Sequence, residues 1–192
     1  MSLFPLKPTS AHVKKYYEAL AVSHKHGHNT EGNTRFAFEE LLRRCASPYG
    51  WHVVPEYAFK GADKQPLRAD GALVDDLTLV HGIWEAKDSD DDLTKEVGLK
   101  FKKGYPLTNI LFQSPGHAVL YQDNLVKFND AITDPEKLIE VLTLFCEHRQ
   151  PHEVDWEEAV TKFAEKIPES AKGVTSIPKH RGALDLAATY CL

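Results

Sequence analysis

Cysteine is scarce in this chain: Cys45, Cys146 and Cys191 form an odd set, far apart in sequence. That excludes a disulfide framework and any paired-cysteine zinc spacing, and it makes a reducing cytoplasm the expected setting. No apolar run approaches the roughly 20 residues that a membrane helix needs. The apolar part of residues 1–10 is too short for a secretory signal. A glycine-rich phosphate loop ending in Gly-Lys-Ser or Gly-Lys-Thr is missing, so no ATPase is recognisable. No Cys–His pair suggests a nucleophile. Excess positive charge is missing too: the net charge is −5, whereas nucleic-acid-binding domains are often basic. A site that concentrates carboxylates for a divalent metal lowers net charge without forbidding DNA, so the sum decides little. Its distribution says more, because residues 1–50 carry seven Lys/Arg against four Glu.

What is present is ordinary globular material, with 42% hydrophobic and 27% charged residues over 192 positions, enough to bury a real core. Apolar spacing predicts a helix over residues 10–24, with Ser10 as N-cap, Val13, Tyr16, Tyr17 and Leu20 on one face, and Gly27 ending it. A second helix is expected over residues 33–46, with Phe38, Leu41, Leu42 and Cys45 as its buried stripe. Ser47-Pro48-Tyr49-Gly50 stops it in a turn. The period then changes. Residues 51–59 read as a strand whose Pro55 implies an edge position or a bulge. Residues 67–75 and 79–87 read as two more strands joined around Asp75-Asp76. A helix from about residue 91 ends at Gly104, and residues 108–113 and 118–121 are further strands followed by Leu-Val-Lys-Phe. Asp134 and Pro135 open another helix, as N-cap and first helical residue, with Leu138, Val141, Leu142 and Phe145 inward. A last helix is expected over residues 155–167, with Trp156 and Phe163 as core or interdomain contacts. The order predicts an α/β fold, a mixed central β-sheet flanked by helices over residues 1–150, with a helical appendage or linker over 151–192.

The chemistry concentrates in residues 68–88. Side chains alternate along a strand, so Glu85 and Lys87 share a face, about 7 Å apart along the backbone. Asp70 lies on the preceding strand of the same expected hairpin. Two carboxylates and an ammonium on one sheet face suit Mg²⁺, which takes one or two carboxylates and completes its shell with phosphate and water. A lysine beside such a metal can orient water or offset charge on a phosphate. Glu-x-Lys by itself is a common surface ion pair. Here it lies on a strand apolar on both sides (Leu79, Val80, Ile83, Trp84, Ala86), which predicts a sheet centre, where charges need a reason.

These residues resemble the PD-(D/E)xK nuclease superfamily. Arg68-Ala69-Asp70-Gly71 stands where that family places its first metal-binding aspartate, and Ile83-Trp84-Glu85-Ala86-Lys87 matches its hydrophobic-Glu-x-Lys strand. Phe38-Glu39-Glu40-Leu41-Leu42 resembles the helical glutamate motif, with Glu39 preferred over Glu40. The run from Phe36 to Tyr121 is similar to the Mrr-like nuclease modules of single-polypeptide restriction-modification enzymes. The resemblance implies a restriction-endonuclease-like core and Mg²⁺-dependent hydrolysis of double-stranded DNA, with Mn²⁺ as a substitute metal. It implies that Asp70, Glu85 and the Ala86 carbonyl hold the metal. Lys87 would position the nucleophilic water, Glu39 would hold a water or second metal, and Gln113 is a weaker candidate to touch the site. Helicase or methyltransferase domains or subunits of a larger restriction enzyme are the implied partners, and no membrane is involved. The chain departs from the pattern after the lysine. Such modules carry a Gln and an Arg-Tyr pair there, whereas Lys100, Lys102 and Lys103 supply the positive charge here and are the candidate phosphate contacts.

Two other clusters read as structural. His24, His26 and His28 fit a polar helix end better than a transition-metal site. Asp88, Asp90, Asp91 and Asp92 lack the spacing of a calcium loop and fit the cap of the helix that follows. The competing functional reading is a catalytically silent nuclease fold that binds DNA or a protein partner. A plain structural domain, with Glu85 and Lys87 as an ion pair, is the third.

Overall fold

The computed structural model describes residues 4–25, 31–61, 63–88 and 93–149. The chain divides into two units, Met1–Arg149 and Gln150–Leu192. All described residues belong to the first, and the helix expected over residues 155–167 lies outside them. So do Gly27 and most of the His24–His28 and Asp88–Asp92 clusters.

In chain order the elements are α1 (Ala11–Lys25), α2 (Glu31–Ala46), β1 (His52–Lys60), β2 (Pro66–Val74), β3 (Val80–Ala86), α3 (Leu93–Lys102), β4 (Asn109–Gln113), β5 (His117–Gln122), β6 (Leu125–Ala131) and α4 (Pro135–Glu147). The strands form one mixed six-stranded sheet in the order β1-β2-β3-β4-β5-β6. Among the described strands, only the β3–β4 pair is parallel. A parallel pair requires a crossover, and α3 supplies it. Pro55 sits on an edge strand, as its missing N–H demands, and the apolar Glu-x-Lys strand β3 runs through the interior of the sheet. No helix among the described residues is long and apolar enough to cross a membrane.

Helices cover both faces. On one, α1, α2 and α4 bury Tyr16, Phe38, Leu41, Leu42, Leu138 and Phe145 against Leu73, Trp84 and Leu111. On the other, α3 buries Leu93 and Val97 against Ile83, Ile110 and Phe112. The helical spacing read from the sequence therefore selects the buried stripes of α2 and α4. Helix ends follow local chemistry. The Asp134 side chain accepts from the Glu136 N–H at 3.0 Å, with Pro135 in the first turn. Ser10 differs from expectation. Its carbonyl accepts from Lys14 N–H, but its hydroxyl turns back to Lys7 N–H at 2.8 Å, closing the preceding turn instead of capping α1.

The C-terminal end of α4 is tied to the sheet by buried amides. Asn109 Nδ2 donates to the His81 carbonyl at 2.7 Å and to the Phe145 carbonyl at 3.0 Å. Gln122 Nε2 donates to Asn109 Oδ1 at 3.0 Å and to the Leu144 carbonyl at 2.8 Å. These bonds satisfy helix-end carbonyls that the helix itself leaves unpaired.

One irregularity bears on the site. Val53 of β1 packs with the α1/α2/α4 side, whereas Phe59, six residues on and of the same parity, packs with the α3 side. In β2, a Cβ on Gly71 would meet Trp84 on the first side, yet Ala69 packs on the second. Regular alternation would keep each pair on one face. The β1–β2 hairpin therefore turns over between these positions, at Glu56 and Asp70. Glu56 has a left-handed φ of 51° there, and the ladder skips the Glu56–Asp70 pair between Pro55–Gly71 and Tyr57–Ala69.

Candidate metal and active site

Asp70 is held by the two strands and one helix around it. The β2–β3 ladder ends at the Gly71–Trp84 pair, one residue short of Asp70 on β2 and of Glu85 on β3. Asp70 Oδ2 accepts the Ala86 N–H at 2.8 Å, a side chain standing in where the ladder bonds end. Its Oδ1 lies 3.1 Å from Arg35 Nη1, on α2, and Arg35 Nη2 also donates to the Asp70 carbonyl at 3.2 Å. The same guanidinium pairs with Glu56 at the turnover of β1. Burial would lower the Arg35 pKa, but Glu56, Asp70 and Glu39 together raise it, so this cation is fixed.

Glu85 is buried at 2% exposure on the α3 side of the sheet. Its Oε2 receives Lys100 Nζ, from α3, at 2.5 Å. Its Oε1 is buried and has no hydrogen-bond partner. Burial pushes the Glu85 carboxyl above the usual range, and the Asp70 charge adds to this while Lys100 and Tyr105 offset only part. Lys100 also donates to the Tyr105 hydroxyl at 3.2 Å, and that hydroxyl donates to the Arg68 carbonyl at 2.6 Å. Tyr105 reaches this position because Gly104 takes a left-handed φ of 87° after α3. Gly104 N–H then bonds Phe101 O and Tyr105 N–H bonds Lys100 O, the paired closure of a glycine-ended helix.

Lys87 follows β3 directly. Its backbone N–H donates to the Gln113 carbonyl at 2.8 Å, which pins it beside β4. Its ammonium meets Glu96 of α3 at 3.0 Å, not Glu85. Burial would lower the Lys87 pKa, but Glu96, Glu85 and Asp70 outweigh it and the net shift is upward. An ammonium so held stays protonated at neutral pH; it can donate a hydrogen bond or offset charge but cannot serve as a base.

The structure thus brings Asp70, Glu85, Ala86 and Lys87 together. Glu39 stands apart, paired with Arg43 within α2 at 2.5 Å, and reaches the site only through its charge on Arg35. The Gln113 side chain leaves the site altogether: Nε2 turns to the Tyr16 hydroxyl at 3.5 Å, toward the helix pair. Lys100, expected among the phosphate contacts, is instead drawn onto Glu85, while Lys102 and Lys103 remain exposed. Sequence reasoning missed Arg35, Glu56, Glu96 and Tyr105. Arg35 and Glu96 stand on helices remote from the motif and carry no signal of their own; the positions of Glu56 and Tyr105 depend on left-handed turns.

A hard divalent cation fits this donor set in part. Asp70 and Glu85 offer hard carboxylate oxygens on neighbouring strands, and the unpartnered Glu85 Oε1 is a buried acceptor without a donor. Among the described residues no group of three His, Cys, Asp or Glu assembles. A cation here would need a backbone carbonyl, water or substrate oxygen as well, which is how Mg²⁺ is usually held.

Among solved structures, the chain is similar to part of the protein in a cryo-EM structure of a DrdV–DNA complex. The TM-score is 0.73 and the identity 32%, over 84% of this chain. The fold is shared. The chain spans only 16% of that protein's length. No family model and no curated relative matches the chain.

Proposed function

We propose that the chain is a Mg²⁺-dependent DNA endonuclease module of the PD-(D/E)xK kind, the nuclease part of a restriction-modification system. The observation that carries this reading is the bond from the Ala86 N–H, next to Glu85 on β3, to the Asp70 carboxylate, with one buried Glu85 oxygen unpartnered. The shared fold with part of a DNA-bound protein supports it. Asp70, Glu85 and the Ala86 carbonyl are the residues that would hold the cation. A divalent cation there would polarise a phosphodiester oxygen and acidify water. The Lys87 ammonium donates to the attacking water or a phosphate oxygen. Glu39 lies one helical turn beyond Arg35 and contributes charge rather than a direct ligand. Lys102 and Lys103 contact the backbone of double-stranded DNA. Helicase or methyltransferase domains or subunits of a larger restriction enzyme are the further partners that this reading implies.

One observation favours a second reading, a silent nuclease fold that binds DNA: Asp70 and Glu85 each already carry a protein cation, Arg35 and Lys100. Incubation with supercoiled plasmid separates the two. With Mg²⁺ or Mn²⁺ the wild-type chain nicks or cuts, and Asp70→Ala and Lys87→Ala each lose about a hundredfold or more in rate. Undiminished cutting by Asp70→Ala would overturn the nuclease reading, and DNA binding without cutting under all metals would favour the silent one.

A further inference from the structure

We infer that Arg35 is a displaceable internal counter-cation that competes with a divalent metal for Asp70 and gives up its Asp70 contacts, keeping Glu56, when the metal binds. The inference rests on the nuclease reading above and concerns regulation of the same site. Its basis is how the carboxylate oxygens are shared. Glu85 gives Oε2 to Lys100 and keeps a buried Oε1 unpartnered, so Lys100 leaves one oxygen of that carboxylate without a donor. Asp70 has no oxygen left without a protein donor: Oδ2 takes the Ala86 N–H and Oδ1 takes Arg35. The Ala86 bond is made by a backbone fixed in the sheet and stays. The Arg35 contacts, to Oδ1 and to the Asp70 carbonyl at 3.2 Å, are made by a long side chain from α2, 22% exposed, that is already paired with a second anion.

That second anion is Glu56. It is 45% exposed on the edge strand, and its left-handed backbone belongs to the stretch where the β1–β2 hairpin turns over. Arg35 therefore has two seats, and leaving Asp70 does not strand its charge. A metal at Asp70 Oδ1 would lie near the guanidinium and be repelled by it unless the guanidinium moves. Glu56 lowers the cost of that move. Losing Arg35 should strengthen metal binding, and losing the Glu56 charge should weaken it, but only while Arg35 is present. A scaffolding role predicts the opposite for Arg35, because a mispositioned Asp70 binds metal less well.

The test is calorimetric titration of the full chain with Mn²⁺ alone, without DNA, for the wild type, Arg35→Gln, Glu56→Gln, the double variant and Asp70→Asn. Arg35→Gln is expected to tighten Mn²⁺ binding about fivefold or more, the lower end of ordinary coupling between sites. Glu56→Gln is expected to weaken it, and the double variant to match Arg35→Gln, which gives a non-zero coupling in the cycle. Unchanged or weaker binding by Arg35→Gln overturns the inference. Should that variant misfold, Glu56→Gln still tests it, since unchanged or tighter binding there also overturns it. If Mn²⁺ binding depends on Asp70 but not on Arg35, the counter-cation fails and the nuclease reading stands. If Asp70→Asn leaves Mn²⁺ binding untouched, both fail.

Discussion

Glu85 shows why residue type alone does not define this site. As a buried carboxylate it is costly, and Lys100 compensates one oxygen while the other goes without. The Glu-x-Lys spacing made Glu85 and Lys87 visible in the sequence, because strand alternation is a local rule. The partners that tune them, Lys100, Glu96 and Arg35, come from helices, and nothing local marks a helical lysine as one that turns inward. Gly82 is a plainer case at this scale. A Cβ there would lie 2.6 Å from Phe145 Cε2 and 2.7 Å from Cζ, where the strand carrying the motif passes under α4. Gly82→Ala is therefore expected to cost about 1–3 kcal/mol by overpacking. Equilibrium denaturation would register it as a lower midpoint with an unchanged slope.

Among the elements, α2, α4 and the motif strand were legible because each has a clean period and a buried face. The β1–β2 hairpin was legible only in part. Pro55 marked an edge, but the exchange of faces at Glu56 and Asp70 breaks the alternation on which strand reading depends. A bulge-like turnover re-aims side chains, and here it falls at Asp70, whose carboxylate takes the Ala86 N–H beside Glu85. The β2–β3 turn is the counterpart built by sequence chemistry. Asp75 Oδ1 accepts the N–H groups of Leu77 and Leu79, both at 2.9 Å, and Oδ2 meets His81 Nε2 at 3.1 Å. Burial would raise the Asp75 pKa, but these bonds prevail and hold it below its ordinary 3.8. A depressed carboxylate stabilises the fold above its unfolded pKa and loses that contribution as pH falls through the folded value. Asp75→Asn keeps the Oδ1 acceptor and loses the charge. The thermal stability gap between wild type and Asp75→Asn should thus be present near pH 5 and shrink below pH 3.8. A gap constant down to pH 2 would contradict this.

At the scale of the whole described unit, the two helical layers serve the sheet asymmetrically. One layer, α1, α2 and α4, supplies most of the core; the other, α3, supplies Lys100 and Glu96 to the charged face. Arg35 pairs with Asp70 from α2 and Lys100 with Glu85 from α3, so the two carboxylates are balanced by cations from helices of both layers. That balance is the molecular reason to expect weak metal binding by the chain alone, and it was invisible in a net charge of −5. The central claim is that Asp70 and Glu85 jointly hold a divalent cation beside Lys87. Anomalous diffraction from crystals soaked in Mn²⁺ tests it most directly. The account predicts one strong peak within coordinating distance of Asp70 and Glu85 Oε1, with Arg35 off Asp70 and still paired with Glu56. A peak elsewhere with these carboxylates still bound to Arg35 and Lys100, or no peak at saturating Mn²⁺, would contradict it.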